Sequence, residues 1–179
     1  SMRRIISAGA VIFRREPRTS PASGGTLRGE PDGQVKFLLL YHGKNYWNFP
    51  KGRLEQGERA MAAFFREVEE ETGLKRHELK VISGFRMTDR YMLFGGRSGE
   101  NDKGRAFKIV IYYLVETRTR EITVSHEHDG FGWFDYHEAL RISKYPGTKE
   151  ILKKAHEFIQ QNLPGATTRA RHQKVGTNK

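Results

Sequence analysis

Glu67, Glu70 and Glu71 lie in the segment GRLEQGERAMAAFFREVEEETGL, residues 52–74, and their spacing could do chemistry. Wound into a helix over 58–72 at about 100° per residue, they stand at i, i+3 and i+4, within one arc of roughly 100°. Met61, Phe64, Phe65 and Val68 fall on a separate, core-facing stripe. Like charges crowded in this way repel by a few tenths of a kcal/mol per pair. The arrangement makes sense around a divalent cation, and hard oxygen ligands without Cys or paired His point to Mg²⁺ or Mn²⁺. Gly52, about a turn and a half before the helix, lets the backbone bend and present a carbonyl to the metal. Glu58 falls opposite the acidic stripe and reads as a first-turn residue that holds the loop. Arg66 can reach Glu70 at i+4, or a loop carboxylate, and so orient the ligand face.

A second cluster, Ser125-His126-Glu127-His128, suggests zinc at first sight. In an extended segment His126 and His128 would share a face while Glu127 points away, and no third ligand follows at a suitable spacing. The expectation is therefore against zinc.

These residues must be positioned by one domain, since 179 residues suffice for a single good core and fall short of two. Strands are expected over Ile6–Arg14, Val35–Tyr41, Lys80–Thr88, Phe107–Glu116 and Gly132–Phe134, with Trp47–Lys51 as a short approach to the acidic helix. Helices are expected over 58–72, Tyr136–Arg141 and Lys149–Asn162, the last closed by Pro164-Gly165. Glu16–Asp32, rich in Pro, Gly, Ser and Thr, reads as a mobile loop, and Arg97–Arg105 as a Gly-rich one. Residues 166–179, with Arg169, Arg171, His172, Lys174 and Lys179, read as a disordered basic tail. The domain then spans 3–163, with a mobile loop at 16–33 and the tail at 164–179. Strands flanked by substantial helices give an α/β protein, a mixed sheet covered on both faces.

The net charge is +11, from 32 basic and 21 acidic residues with His neutral. Because the metal helix is itself acidic, the remaining surface favours polyanions: nucleotides, inositol polyphosphates or RNA. No apolar run is long enough to span a membrane, so no membrane partner is expected. The absence of cysteine fits an intracellular enzyme, expected in the cytoplasm, with mitochondria or nucleus as alternatives.

The spacing Gly-x5-Glu-x7-Arg-Glu-Val-x-Glu-Glu-x-Gly-Leu resembles the Nudix hydrolase signature at nine fixed positions: Gly52, Glu58, Arg66, Glu67, Val68, Glu70, Glu71, Gly73 and Leu74. The flanking WNFPKG and VSHEHDGFGWF resemble the asymmetrical diadenosine tetraphosphate hydrolases, a likeness covering most of 5–163. It implies an α/β/α sandwich with a central mixed β-sheet, and Mg²⁺- or Mn²⁺-dependent attack of water on a phosphoanhydride of a dinucleoside polyphosphate. It also implies that Glu127 reaches the metal or acts as general base, and that Lys108 lies beside the polyphosphate, with Lys51 adding charge. Tyr91 is near the position where that subfamily stacks a purine, and Tyr46 precedes Trp47 at the same cleft. His126 and His128 then fix the loop. The candidate catalytic residues are thus Glu70, Glu127 and Arg66; the metal ligands Gly52, Glu67, Glu70 and Glu71; the substrate contacts Lys51, Lys108, Tyr91 and Tyr46. Alternatives are hydrolysis at the 5′ end of RNA, engaged through the basic surface and tail, then a diphosphoinositol polyphosphate substrate, or a non-catalytic RNA-binding subunit of the same fold.

Overall fold

The computed structural model describes residues 3–16, 34–94 and 105–163. The expected loops at 16–33 and 97–105 and the tail at 164–179, with Pro164-Gly165, lie wholly or almost wholly outside these residues. Seven strands form one sheet: β1 (Arg3–Glu16), β2 (Gln34–Tyr41), β3 (Trp47–Asn48), β4 (Lys51–Arg53), β5 (Lys80–Leu93), β6 (Ala106–Glu116) and β7 (Gly130–Phe134). The spatial order is β3-β2-β1-β6-β5, with β4 pairing to β1 and β7 to β2. β1 and β6 run parallel over eleven residue pairs, Arg3↔Ala106 to Phe13↔Glu116, while the other pairs are antiparallel. The sheet is therefore mixed, as expected.

Both strand faces are apolar because both are covered. On one face Ala8, Ala10, Ile12, Leu38 and Leu40 pack against Ala63, Phe64 and Val68 of α1 (Ala60–Thr72). On the other, Val11, Phe13, Phe37, Leu39 and Leu114 meet Ala139 of α2 (Tyr136–Ile142) and Ile151, Leu152, Ala155 and Ile159 of α3 (Pro146–Asn162).

Several expectations need correction: the short approach over Trp47–Lys51 holds β3 and the start of β4, which pair with β2 and β1. β5 continues to Leu93, because its ladder with β6 satisfies the backbone through the polar Asp89-Arg90 stretch. α3 starts three residues early, at Pro146, whose fixed φ and missing N–H suit the first helical turn. α1 starts at Ala60, so Glu58 is not a helical residue: it lies ahead of the N-cap Arg59 and accepts the Glu55 N–H at 3.0 Å. The apolar stripe also ends short of the first turn, where Met61 is 38 % exposed. Gly73 ends α1 in the left-handed region (φ 75°), a conformation that any side chain would strain.

Candidate active site

α1 and the loop that feeds it are tied together by one side chain. Arg66 donates from Nε and Nη2 to Glu58 (both 2.9 Å), from Nη1 to Glu67 (2.7 Å) and Glu70 (3.2 Å), and from Nη2 to the Arg53 carbonyl (2.8 Å). A planar guanidinium with five donors can serve all of these at once; an ammonium cannot. Its hydrogen bonds hold the Glu58 carboxyl down at about 2, and Glu58 in turn keeps Arg66 charged. Arg66 thus reaches both Glu70 at i+4 and a loop carboxylate, Glu58.

The three helix glutamates are not equivalent. Glu67 and Glu71 are buried against the sheet, whereas the Glu70 side chain is 55 % exposed. Glu67 lies so close over Gly52 that a Cβ there would overlap its carboxyl group. Glu71 accepts the Lys51 backbone N–H at 2.8 Å. Burial nevertheless pushes Glu71 up to about 8, against that hydrogen bond, with Glu67 and Glu127 adding repulsion. Burial also raises Glu67, opposed by Arg66. A carboxylate so short of positive charge is a fitting ligand for a divalent cation, which would relieve both desolvation and repulsion. Among the described residues no three His, Asp or Glu side chains already converge as a ligand set: Glu67 is engaged by Arg66 and Glu70 faces outward.

The segment after β6 is pinned to the fold at three points: Thr117 N–H to the Phe13 carbonyl (3.0 Å), Thr123 N–H to Thr72 (2.9 Å) and Asp129 N–H to Tyr41 (2.8 Å). These bonds bring 125–128 against α1. The stretch is a turn rather than extended, because the His128 N–H closes onto the Ser125 carbonyl at 3.1 Å. His126 and His128 therefore do not share a face. His128 is buried, bonded through Nδ1 to the Ser125 hydroxyl (3.0 Å), with Nε2 3.9 Å from Glu71. Burial lowers its basicity, so it is a neutral polar neighbour of Glu71, not an ion-pair partner. Glu127 is exposed at the tip, near enough for its charge to raise Glu71.

On the α3 side of the sheet, Lys51, Tyr91 and Lys108 come together from β4, β5 and β6. The Lys51 ammonium donates to the Tyr91 hydroxyl at 3.3 Å; Lys51 and Lys108 stand 5.7 and 5.8 Å from the Tyr91 ring centre. Burial, then mutual repulsion with Lys108, brings Lys51 down to about 8. Burial pushes Tyr91 up to about 12, with Tyr46 close enough to add to the shift. Asn48 bonds to the Tyr46 hydroxyl at 2.7 Å, and the Tyr46 ring meets His42 and, edge-on, Tyr145. His42, Tyr145 and Asp89 join this neighbourhood without having been singled out; the i, i+2 spacing of Asp89 to Tyr91 was hidden because the strand was expected to end at Thr88.

The NUDIX domain family model matches residues 22–155. The chain is 31 % identical over 157 residues to the asymmetrical bis(5′-nucleosyl)-tetraphosphatase of Sus scrofa, covering 86 % of this chain and 94 % of that protein. It is 31 % identical over 128 residues to an RNA pyrophosphohydrolase of Legionella pneumophila, covering 66 % of this chain and 67 % of that one. Among solved structures, a C. elegans Ap4A hydrolase binary complex superposes with TM-score 0.66 and 26 % identity, over 87 % of this chain and 97 % of that one. No helix among the described residues is long and apolar enough to cross a membrane.

Proposed function

The chain belongs to the Nudix hydrolase family, and from that premise we propose that it hydrolyses a phosphoanhydride bond of a dinucleoside polyphosphate such as diadenosine tetraphosphate. One observation carries this reading: Lys51 spans two halves of a site. Its backbone N–H binds Glu71 of the acidic helix, and its ammonium reaches Tyr91 beside Lys108. A polyphosphate laid along the lysines thus has carboxylates at one end and an aromatic surface for a base at the other.

Glu67, Glu70 and Glu71, with the Gly52 carbonyl, would hold Mg²⁺ or Mn²⁺, which when bound neutralises phosphate charge and makes a water acidic enough to attack. Lys51 and Lys108 bind the phosphate oxygens with fixed positive charge. Tyr91 and Tyr46 hold a base, a contact worth about 1–3 kcal/mol per stacked base. Arg66 keeps Glu67 and the 53–58 loop in place. Glu127 accepts the proton of the attacking water, which bonds to phosphorus in line as the bridging oxygen leaves with the other nucleotide.

A second reading, hydrolysis at the 5′ end of RNA, is favoured by the net charge of +11 and by the Legionella relative. A product screen with Mg²⁺ over dinucleoside polyphosphates, capped and triphosphorylated RNA, and inositol pyrophosphates separates them. Dinucleoside tetraphosphate should give the highest kcat/KM and lose only a few-fold between about 50 and 200 mM salt; an RNA substrate with six phosphate contacts would lose about 10³-fold. RNA turning over faster, with that steep salt dependence, overturns the first reading in favour of the second.

A further inference from the structure

The sheet face that carries Lys51 and Tyr91 also bears a carboxylate that polyphosphate hydrolysis does not call for. Asp89 lies on β5 two residues before Tyr91, on the same face, opposite Val110 of β6. It is half-buried, and its carboxylate stands over the first turn of α3, where a Cβ on Gly147 would approach Oδ2 to 2.6 Å. Its charge is felt across the whole cleft: it favours the Lys51 ammonium and opposes ionisation of Tyr46, Tyr91 and Tyr112. Among the described residues no side chain or backbone N–H donates a hydrogen bond to it, and none forms an ion pair with it. A carboxylate only accepts hydrogen bonds, so this one keeps acceptor capacity that no donor among the described residues takes up. Phosphate oxygens cannot supply donors and would be repelled. A nucleobase held by the tyrosines beside it can.

The bases differ in what they offer. Guanine carries two adjacent donors, N1–H and the 2-amino group, which match the two oxygens of a carboxylate. Adenine sets one amino group beside the lone pair of N1, so it satisfies one oxygen and repels the other. We propose that Asp89 is a base-reading residue that selects guanine, so that the cleft between Tyr91, Tyr46 and the start of α3 takes guanine nucleotides in preference to adenine nucleotides. The proposal rests on the reading above for placing the base in this cleft.

Equilibrium binding of GDP, IDP and ADP, followed calorimetrically, tests it without relying on turnover. GDP should bind about tenfold more tightly than ADP, as a good bidentate base contact provides, with IDP, which lacks the 2-amino group, between them. Asp89→Asn should weaken GDP about tenfold and leave ADP within about twofold of wild type, and the unchanged ADP value shows that the variant is folded. Equal affinities in the wild type, no binding of either nucleotide, or equal losses for both in Asp89→Asn would overturn the proposal; equal losses mean that Asp89 only supports the start of α3. Hydrolysis of diguanosine and diadenosine tetraphosphates is scored separately. GDP selectivity without hydrolysis of either overturns the proposed reaction and leaves Asp89 as a guanine reader. Hydrolysis of both with equal kcat/KM and no binding selectivity overturns Asp89 alone.

Discussion

Gly52→Ala should disable the enzyme while leaving the fold nearly intact. Gly52 in β4 does not occupy the left-handed region, so its backbone accepts alanine without strain. The whole effect is then the methyl group, which would overlap the Glu67 carboxyl. Inserting a methyl into a packed site costs about 1–3 kcal/mol. The low end applies here, because the obstructing atoms are the end of a flexible side chain and not backbone. Moving them, however, breaks the 2.7 Å bond from Arg66 and takes a candidate ligand out of position. A loss of about 10²-fold in kcat, roughly 2.7 kcal/mol of transition-state stabilisation, is expected. Urea unfolding of both proteins should differ by about 1 kcal/mol, and kcat should be measured across a Mg²⁺ titration to separate weakened metal binding from misplacement. Shortening the obstructing side chain in Gly52→Ala/Glu67→Asp should recover part of the loss, a coupling that independent sites would not show. A Gly52→Ala enzyme with kcat within about twofold of wild type at saturating Mg²⁺ would refute the assignment of Glu67 and of the site around it.

Arg66→Lys should lower both the unfolding midpoint and kcat, because one ammonium cannot reach Glu58, Glu67, Glu70 and the Arg53 carbonyl together; unchanged values for both would refute its tying role. Glu127→Gln should lower kcat by about 10²-fold with KM nearly unchanged, while Glu157→Gln, on the exposed side of α3, serves as the control; equal small effects remove Glu127 from the site. Glu71→Gln should abolish most turnover without unfolding the chain, since burial already holds the carboxyl neutral below about 8 and Gln is its neutral counterpart of the same shape; circular dichroism and kcat check the two halves. His156 stacks on Tyr136 at 3.9 Å with its Nδ1 buried and unpartnered among the described residues, and burial lowers its pKa from 6.5. A base depressed in the fold stabilises fully above its unfolded value, and that stability is lost as pH falls below 6.5 toward the folded value. The urea midpoint should therefore drop on acidification below pH 6.5, and less so in His156→Phe; parallel profiles for the two would refute the role of this ring.

The residues within one element were legible in the amino-acid sequence because their arrangement is set by the local period of the chain. Helical winding put Glu67, Glu70 and Glu71 on one arc and Arg66 within reach of Glu70, and alternation or apolar runs located β1, β2, β5, β6 and β7, whereas the short β3 and β4 carried too little pattern to read as strands. What covers a face is not a local property. The wheel could not tell that Glu71 is buried while Glu70 faces solvent, because β4 and the 125–128 turn close over one side of the arc only. Nor could it foresee that Met61 lies beyond the packed part of its stripe, or that 125–128 turns back when backbone bonds to β1, α1 and β2 pin its surroundings. β5 runs on to Leu93 because its partner strand satisfies the backbone of polar residues that would not form a strand alone. The lysine and tyrosine cluster is the clearest case. Lys51, Tyr91 and Lys108 are separated by 40 and 17 positions in the chain, and they meet because strand pairing sets Tyr91 opposite Lys108 and brings β4 alongside through β1, so that the long Lys51 side chain reaches Tyr91. Register is decided by pairing between distant segments, so the sequence by itself determined only that three carboxylates share one arc of α1. Only the tertiary structure decided which of them is desolvated and what stands opposite.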